Sequence, residues 1–308
     1  MEDSLKDLTW EKSLPDINDL SITIPQELVE PCPNIIIDEE IDPNLLSDFK
    51  KTLPYKRLID WSKSNLSAIM SSPGFSLLKV SDYKLDNDKL KSLYYIIALG
   101  LGTLNDRYGD LFDVRDKKLD YIKEAFPVSK TNASTGFHTD STALEYSPDI
   151  VGLLCLQPAK IGGESILANA ADLYLWMKQL HPEDLDILSR PIIRDVITPG
   201  SQTDIEAIKK NRFPVFSFVN DSFKFRFMKY WIISGHNRCN LEIPMELKRA
   251  LDRIDDFFKK KDNLSYYSMV RGDILFVNNN FICHNRTKYE DYDEPERKRI
   301  LVRTWINQ

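Results

Sequence analysis

Histidine is scarce in this 308-residue chain, which has four: His138, His181, His236 and His284. Any histidine-based metal site must therefore be drawn from few positions. Cysteine is equally sparse. Its four residues (Cys32, Cys155, Cys239, Cys283) lie far apart with no CxxC pair, which argues against a zinc ribbon or a dense disulfide framework and suits a reducing compartment. Surplus positive charge is missing as well. The chain carries 41 Lys and Arg against 47 Asp and Glu, a formal net charge of -6, so nothing is left over to neutralise phosphates and nucleic acid is not an expected partner. The runs Lys209-Lys210 and Lys259-Lys260-Lys261 have acidic neighbours and read as solvated helix faces. The start, Met1-Glu2-Asp3-Ser4, lacks the basic residues and apolar run of a signal peptide, and no apolar stretch approaches the roughly 20 residues of a membrane span. These absences predict a cytoplasmic protein with no membrane partner.

What is present suits a large folded body: hydrophobic residues make up 42% and charged residues 29% of the chain, enough to bury a sizeable core. We expect one elaborated domain over residues 1–308. Residues 1–56 mix prolines with short apolar runs and read as an extended arm with little regular structure, wrapping the body. Helical spacing of apolar residues predicts helices over 56–71, 86–99, 171–180 and 243–260. Short alternating or apolar segments predict strands at 74–80, 121–122, 133–138, 151–157, 165–169, 191–196, 214–218, 273–277 and 299–306. The polar stretch 198–212 has no strong apolar period and is a candidate mobile lid. Helices early, then many short strands with helical insertions, argue for a β-sandwich decorated by helices. The aromatic run Phe223, Phe225, Phe227, Tyr230 and Trp231 reads as sandwich core in preference to pocket lining.

Two His-x-acid pairs occur, His138-Thr139-Asp140 and His181-Pro182-Glu183. On a strand, such a pair puts both side chains on one face. His181 is better explained as a helix start, because Pro182 spoils a strand and carboxylates follow in the first turn. His138 follows a segment that can be extended. Towards the C-terminus, Gly272-Asp273-Ile274-Leu275-Phe276-Val277 runs into the turn signal Asn278-Asn279-Asn280 and then reaches His284. Beyond it, alternation places Arg299, Leu301 and Arg303 on one strand face. No acidic residue alternates with these arginines, so their partner is either remote in sequence or a bound carboxylate, which a guanidinium grips through two hydrogen bonds. Two histidines and a carboxylate leave open positions on an octahedral iron(II), the ligand set associated with non-heme oxygenases.

With these motifs in hand, the sequence resembles the taurine dioxygenase and clavaminate synthase-like family of iron(II)/2-oxoglutarate oxygenases. The resemblance covers about residue 136 to the end, and more loosely the segment from about 99. Gly136-Phe137-His138-Thr139-Asp140, Gly162-Gly163-Glu164-Ser165, Gly272-Asp273 with Asn278-Asn279 and His284, and the pair Arg299 and Arg303 stand in the family's order and spacing. The resemblance implies a double-stranded β-helix, or jelly-roll, core over about 100–308, decorated by α-helices. It implies that His138, Asp140 and His284 bind Fe(II), and that Arg299 holds the distal carboxylate of 2-oxoglutarate with help from the Ser165 hydroxyl. Arg303 would lie near the other end of the co-substrate or near an anionic group of the substrate.

The implied reaction consumes O2 and 2-oxoglutarate, releases succinate and CO2, and hydroxylates an unactivated C–H bond of a small amino-acid-like or other carboxylate metabolite. Because Asp140 occupies the ligand position that halogenases of this class leave open, halogenation is not expected. Desaturation and ring closure use the same ligands and stay open. A non-catalytic metal-binding jelly-roll module and a zinc hydrolase are the rivals from other classes.

Overall fold

The computed structural model describes residues 5–10, 14–32, 34, 52–80, 83–105, 109–116, 132–142, 146–196 and 204–308. Helices and strands are both abundant. The largest element is a seven-stranded sheet in the order Ser21–Thr23, Phe75–Lys79, Asp273–Asn278, Ile150–Gln157, Ile300–Asn307 and Thr103–Leu104, with Phe112–Val114 also paired to Ile300–Asn307. All its pairings are antiparallel except the first.

Its central strands are almost continuously apolar because both faces are covered. One face sends Leu154, Ile274, Phe276, Val302 and Ile306 into a cluster with the helices Leu53–Asn65 and Asn87–Leu101. The second of these helices is started by Asp86, whose side chain accepts a 2.8 Å hydrogen bond from the Lys89 N–H. The opposite face carries Val151, Leu275, Val277, Leu301 and Trp305 into a second cluster. That cluster is shared with a smaller antiparallel sheet, Leu264–Tyr267, Ser165–Asn169 and Ile282–Arg286, through Ile166, Ala168, Leu264 and Ile282. The space between the two sheets holds the candidate site.

Gly152, inside the Ile150–Gln157 strand, shows how tightly the helical side is packed. A Cβ there would meet the Tyr94 hydroxyl at 2.5 Å and the Phe276 ring at 2.7 Å. We predict that Gly152→Ala lowers stability by about 1–3 kcal/mol, the usual cost of overpacking, read as a fall in denaturation midpoint. An unchanged midpoint would mean that Tyr94 and Phe276 yield freely.

Several expectations hold closely: the strand Ser165–Asn169 is as predicted, and the predicted helices correspond to Asn87–Leu101, Ala170–Leu180 and Met245–Phe258. His181 precedes the helix Pro182–Leu188, with Glu183 and Asp184 in its first turn, and its ring packs edge-on to Trp176 at 4.7 Å. Phe223, Phe225 and Phe227 are buried in the core, whereas Tyr230 is exposed.

Others need correction. The described part of the first 56 residues is more structured than an arm: Ser21–Thr23 adds a strand to the large sheet, Gln26–Val29 is a short helix, and Leu5 and Ile17 are buried. Residues 35–51 lie outside the described residues. The first long helix spans Leu53–Asn65 and passes into a 3-10 turn, Ser67–Met70. Residues 133–138 form no strand; only His138 bridges its neighbours. The strand expected at 191–196 shrinks to Ile192–Ile193, and that at 214–218 becomes Phe216–Val219. The lid expected over 198–212 contains the helix Ile205–Lys210, started by the Asp204 side chain, and the strand Arg212–Phe213; residues 197–203 lie outside the described residues, as do 121–122.

Candidate metal and active site

His138 and His284, far apart in the chain, are joined backbone to backbone. The His138 N–H donates to the His284 carbonyl at 3.0 Å, and the His284 N–H donates to the His138 carbonyl at 2.9 Å. A directly paired couple in an antiparallel ladder projects its side chains to the same side, and the imidazole centroids lie 4.5 Å apart. Ile282–Arg286 supplies His284 from the small sheet, so His138 is added to the edge of that sheet as a single residue.

Two buried side chains fix the turn between His138 and Asp140. Thr139 accepts from the Phe227 N–H at 3.1 Å and donates to the Phe225 carbonyl at 3.2 Å, while its own N–H donates to the Phe227 carbonyl at 2.9 Å. The Asn279 amide oxygen accepts the Asp140 N–H at 2.7 Å, and its NH2 donates to the carbonyls of Asp140 (3.2 Å) and Pro148 (2.9 Å). Thus a side chain from the Asn278-Asn279-Asn280 turn holds the backbone of the carboxylate residue.

Asp140 is buried and its two oxygens face different partners. Oδ1 lies 3.5 Å from His138 Nε2 and 3.5 Å from His284 Nε2. Oδ2 accepts from the Trp305 indole N–H at 2.6 Å and from Arg303 Nη1 at 3.2 Å. Burial alone would raise the Asp140 pKa, but Arg303 and the two histidines outweigh it and hold the carboxyl well below the usual carboxylate range. Burial, and next the neighbouring His138, pull His284 below its ordinary value, which leaves a neutral imidazole.

His138 Nδ1 lies 2.9 Å from the Gly136 carbonyl. A carbonyl can only accept, so Nδ1 carries a proton and Nε2 is the ring nitrogen turned inwards, towards Asp140. The ligand atoms of His138, Asp140 and His284 all lie within 4.8 Å of one another, and no other such cluster occurs among the described residues. This donor set of two imidazoles and one carboxylate fits iron(II) with positions to spare.

The three side chains line a cleft of about 680 Å³, part of it open to solvent. Val151, Leu153, Leu275, Val277 and Leu301 form its wall from the large sheet, and Ser165 and Leu167 face them from the small one. Arg299, Leu301 and Arg303 all reach this cleft, as their alternation predicts. Arg303 meets its remote partner, Asp140, and its guanidinium lies 4.7 Å from the Trp305 ring centroid.

Arg299 is different. It is buried, and its Nη1 has no hydrogen-bond partner among the described residues. Its guanidinium lies 5.0 Å from the Tyr289 ring centroid, and burial lowers its pKa. Room for it comes from Gly163, at φ +77°, where a Cβ would stand 3.2 Å from Arg299 Nε. A buried guanidinium with an unsatisfied donor beside a cleft has the chemistry to receive an anion such as a carboxylate.

Sequence reasoning missed Trp305 and Asn279. Trp305 shares a strand face with Arg303, so alternation already pointed it at the site. Asn279 reads equally well as a turn residue, and nothing in the letters separates the two uses.

Two opposed sheets with a His/Asp/His cluster and a buried arginine between them define a chain built to hold a metal beside a carboxylate ligand. Residues 43–305 match the family described as taurine catabolism dioxygenase TauD, TfdA family, and the chain belongs to it. It is 29% identical over 181 residues to FR-33289 synthase of Streptomyces rubellomurinus, a match covering 58% of this chain and 51% of that protein. The chain thus spans about half the length of that curated relative. Among solved structures, it is similar to asparagine oxygenase in complex with Fe(II), 2S,3S-3-hydroxyasparagine and succinate, with a TM-score of 0.65, 15% identity and coverage of 94% and 93% of the two chains. It is also similar to the non-heme iron oxygenase OrfP in complex with Fe and alpha-ketoglutaric acid, with a TM-score of 0.61, 16% identity and coverage of 86% and 85%.

Proposed function

We propose that this chain is an Fe(II)/2-oxoglutarate-dependent dioxygenase that hydroxylates an unactivated C–H bond of a small amino-acid-like or other carboxylate metabolite. In this reading His138 Nε2, Asp140 Oδ1 and His284 Nε2 hold the metal. Arg299 grips the distal carboxylate of 2-oxoglutarate, the Ser165 hydroxyl assists it, and Arg303 stands near the co-substrate's other end. The observation that carries the reading is the unsatisfied Arg299 guanidinium lining the same cleft as the converging ligand atoms. A storage or sensor module has no use for that buried cation.

Iron, 2-oxoglutarate and O2, when bound, supply the oxidising chemistry that yields succinate and CO2. The chain's own residues do three things: the histidines and Asp140 fix the metal, Arg299 and Ser165 orient the co-substrate, and the apolar wall keeps water from the reacting carbon. Family membership and the ligands named for the two similar structures support the cofactors. The hydroxyasparagine in one of them supports an amino-acid-like substrate. The two facing sheets support a jelly-roll core within one domain over 1–308. No disulfide joins the four cysteines, which supports a cytoplasmic setting, and among the described residues no helix is long and apolar enough to cross a membrane.

The test is a screen of amino acids and small acids for stimulated succinate formation, with Fe(II), ascorbate and 2-oxoglutarate. We expect one chemical group of substrates to raise succinate several-fold, and a chelator to abolish the signal until iron is restored. Succinate at background levels with every compound, from a protein that still binds metal, would favour the non-catalytic module.

A further inference from the structure

We infer that Trp305 is a positioning residue for this centre: its indole N–H fixes the outer oxygen of Asp140 and keeps the inner oxygen turned to the point where the two histidine Nε2 atoms converge. The inference rests on the reading of His138, Asp140 and His284 as metal ligands.

The need for such a residue follows from the aspartate itself. The terminal torsion of an aspartate is broad and roughly two-fold, so a bare carboxylate presents either oxygen, or both, to a metal. Here the choice is made by donors on one face of the Ile300–Asn307 strand. Trp305 Nε1 reaches Oδ2 at 2.6 Å and Arg303 Nη1 at 3.2 Å, while Oδ1 stays equidistant, at 3.5 Å, from the two imidazoles.

The two donors differ in what they do to the ligand. Indole is a donor only and does not titrate, so it orients the carboxylate and leaves its negative charge to the metal. A guanidinium orients it too, but competes for that charge. Arg303 also keeps further N–H groups on a long side chain lining the cleft, where a carboxylate of a bound small molecule can draw it away. Trp305 has no such freedom. It is 8% exposed, packed in the core between the sheets, and capped by the Arg303 guanidinium. It therefore holds Asp140 whether Arg303 is engaged elsewhere or not, in the way that outer groups orient the ligands of a metal site.

The test compares Ni(II) binding, measured by calorimetry, in wild type, Trp305→Phe, Asp140→Ala and the double variant. Phenylalanine keeps an aromatic ring and removes the N–H. We expect Trp305→Phe to raise the Ni(II) dissociation constant about ten- to hundredfold, with the metal-free melting temperature little changed. In the Asp140→Ala background, where only the histidines bind, the same substitution should have no effect on affinity. A purely structural role would carry its loss into that background undiminished, and such a result would overturn the inference, as would wild-type affinity in Trp305→Phe. A second measurement does not depend on the phenylalanine variant folding. Asp140→Ala should move one of the five tryptophan indole N–H resonances and speed its hydrogen exchange; if none of them responds, the inference fails. Wild-type protein that binds no Ni(II) and forms no succinate would sink the proposed function itself, whereas tight wild-type binding with an unaltered Trp305→Phe sinks the positioning role alone.

Discussion

His284→Ala will remove most of the metal affinity and, with it, succinate formation. Structural four-ligand sites bind with apparent free energies of about 10–16 kcal/mol, or some 2.5–4 kcal/mol per ligand, so losing one ligand should weaken binding roughly 10²- to 10³-fold. The fold should survive, because His284 is held to the body by backbone hydrogen bonds to His138 and by the register of Ile282–Arg286 on Ser165–Asn169, neither of which needs the imidazole. Calorimetric titration with Fe(II) under anaerobic conditions, beside a circular dichroism spectrum, measures both. Undiminished iron affinity would mean that the metal lies elsewhere, and the functional reading would go with it.

Arg299→Ala should separate the co-substrate from the metal. Truncating one partner of a buried, hydrogen-bonded charge pair costs about 2–5 kcal/mol, so 2-oxoglutarate affinity should fall by roughly one and a half to three and a half orders of magnitude. Iron affinity should stay near wild type, since no distance in the cluster His138, Asp140 and His284 depends on Arg299. The variant should also gain stability or lose none, because it removes a buried cation with an orphaned donor. Arg299→Lys should restore little, as a point charge cannot form the two parallel bonds of the guanidinium fork. Equal losses for 2-oxoglutarate and iron in Arg299→Ala would contradict the role assigned.

The proposed ligands are legible in the sequence for a physical reason: histidine is rare here, and the short run 138–140 carries a histidine and a carboxylate together. Arg299 and Arg303 are legible because two guanidiniums on an otherwise apolar strand face demand an anion. Which anion each one meets is not legible. Arg303 finds Asp140, some 160 residues earlier, and only the folded sheet brings them within 3.2 Å. The segment 133–138 misleads because its pairing is a single bridge at His138, which leaves no period to read. The strand Ser21–Thr23 hides for the opposite reason: three residues are too short for alternation, and its parallel partner, Phe75–Lys79, is distant. The helix Ile205–Lys210 is similarly brief, set by the Asp204 cap more than by an apolar stripe.

Among the described residues the Ile300–Asn307 strand comes after the strands it joins in chain order, yet it lies inside the large sheet, with Ile150–Gln157 on one side and Thr103–Leu104 and Phe112–Val114 on the other. Earlier segments therefore cannot complete that layer by themselves during synthesis. Until Ile300–Asn307 arrives, the Ile150–Gln157 strand is left as an unpaired edge, which invites misassociation. Nonsense mutations shortly upstream of residue 300 should accordingly yield aggregating polypeptides.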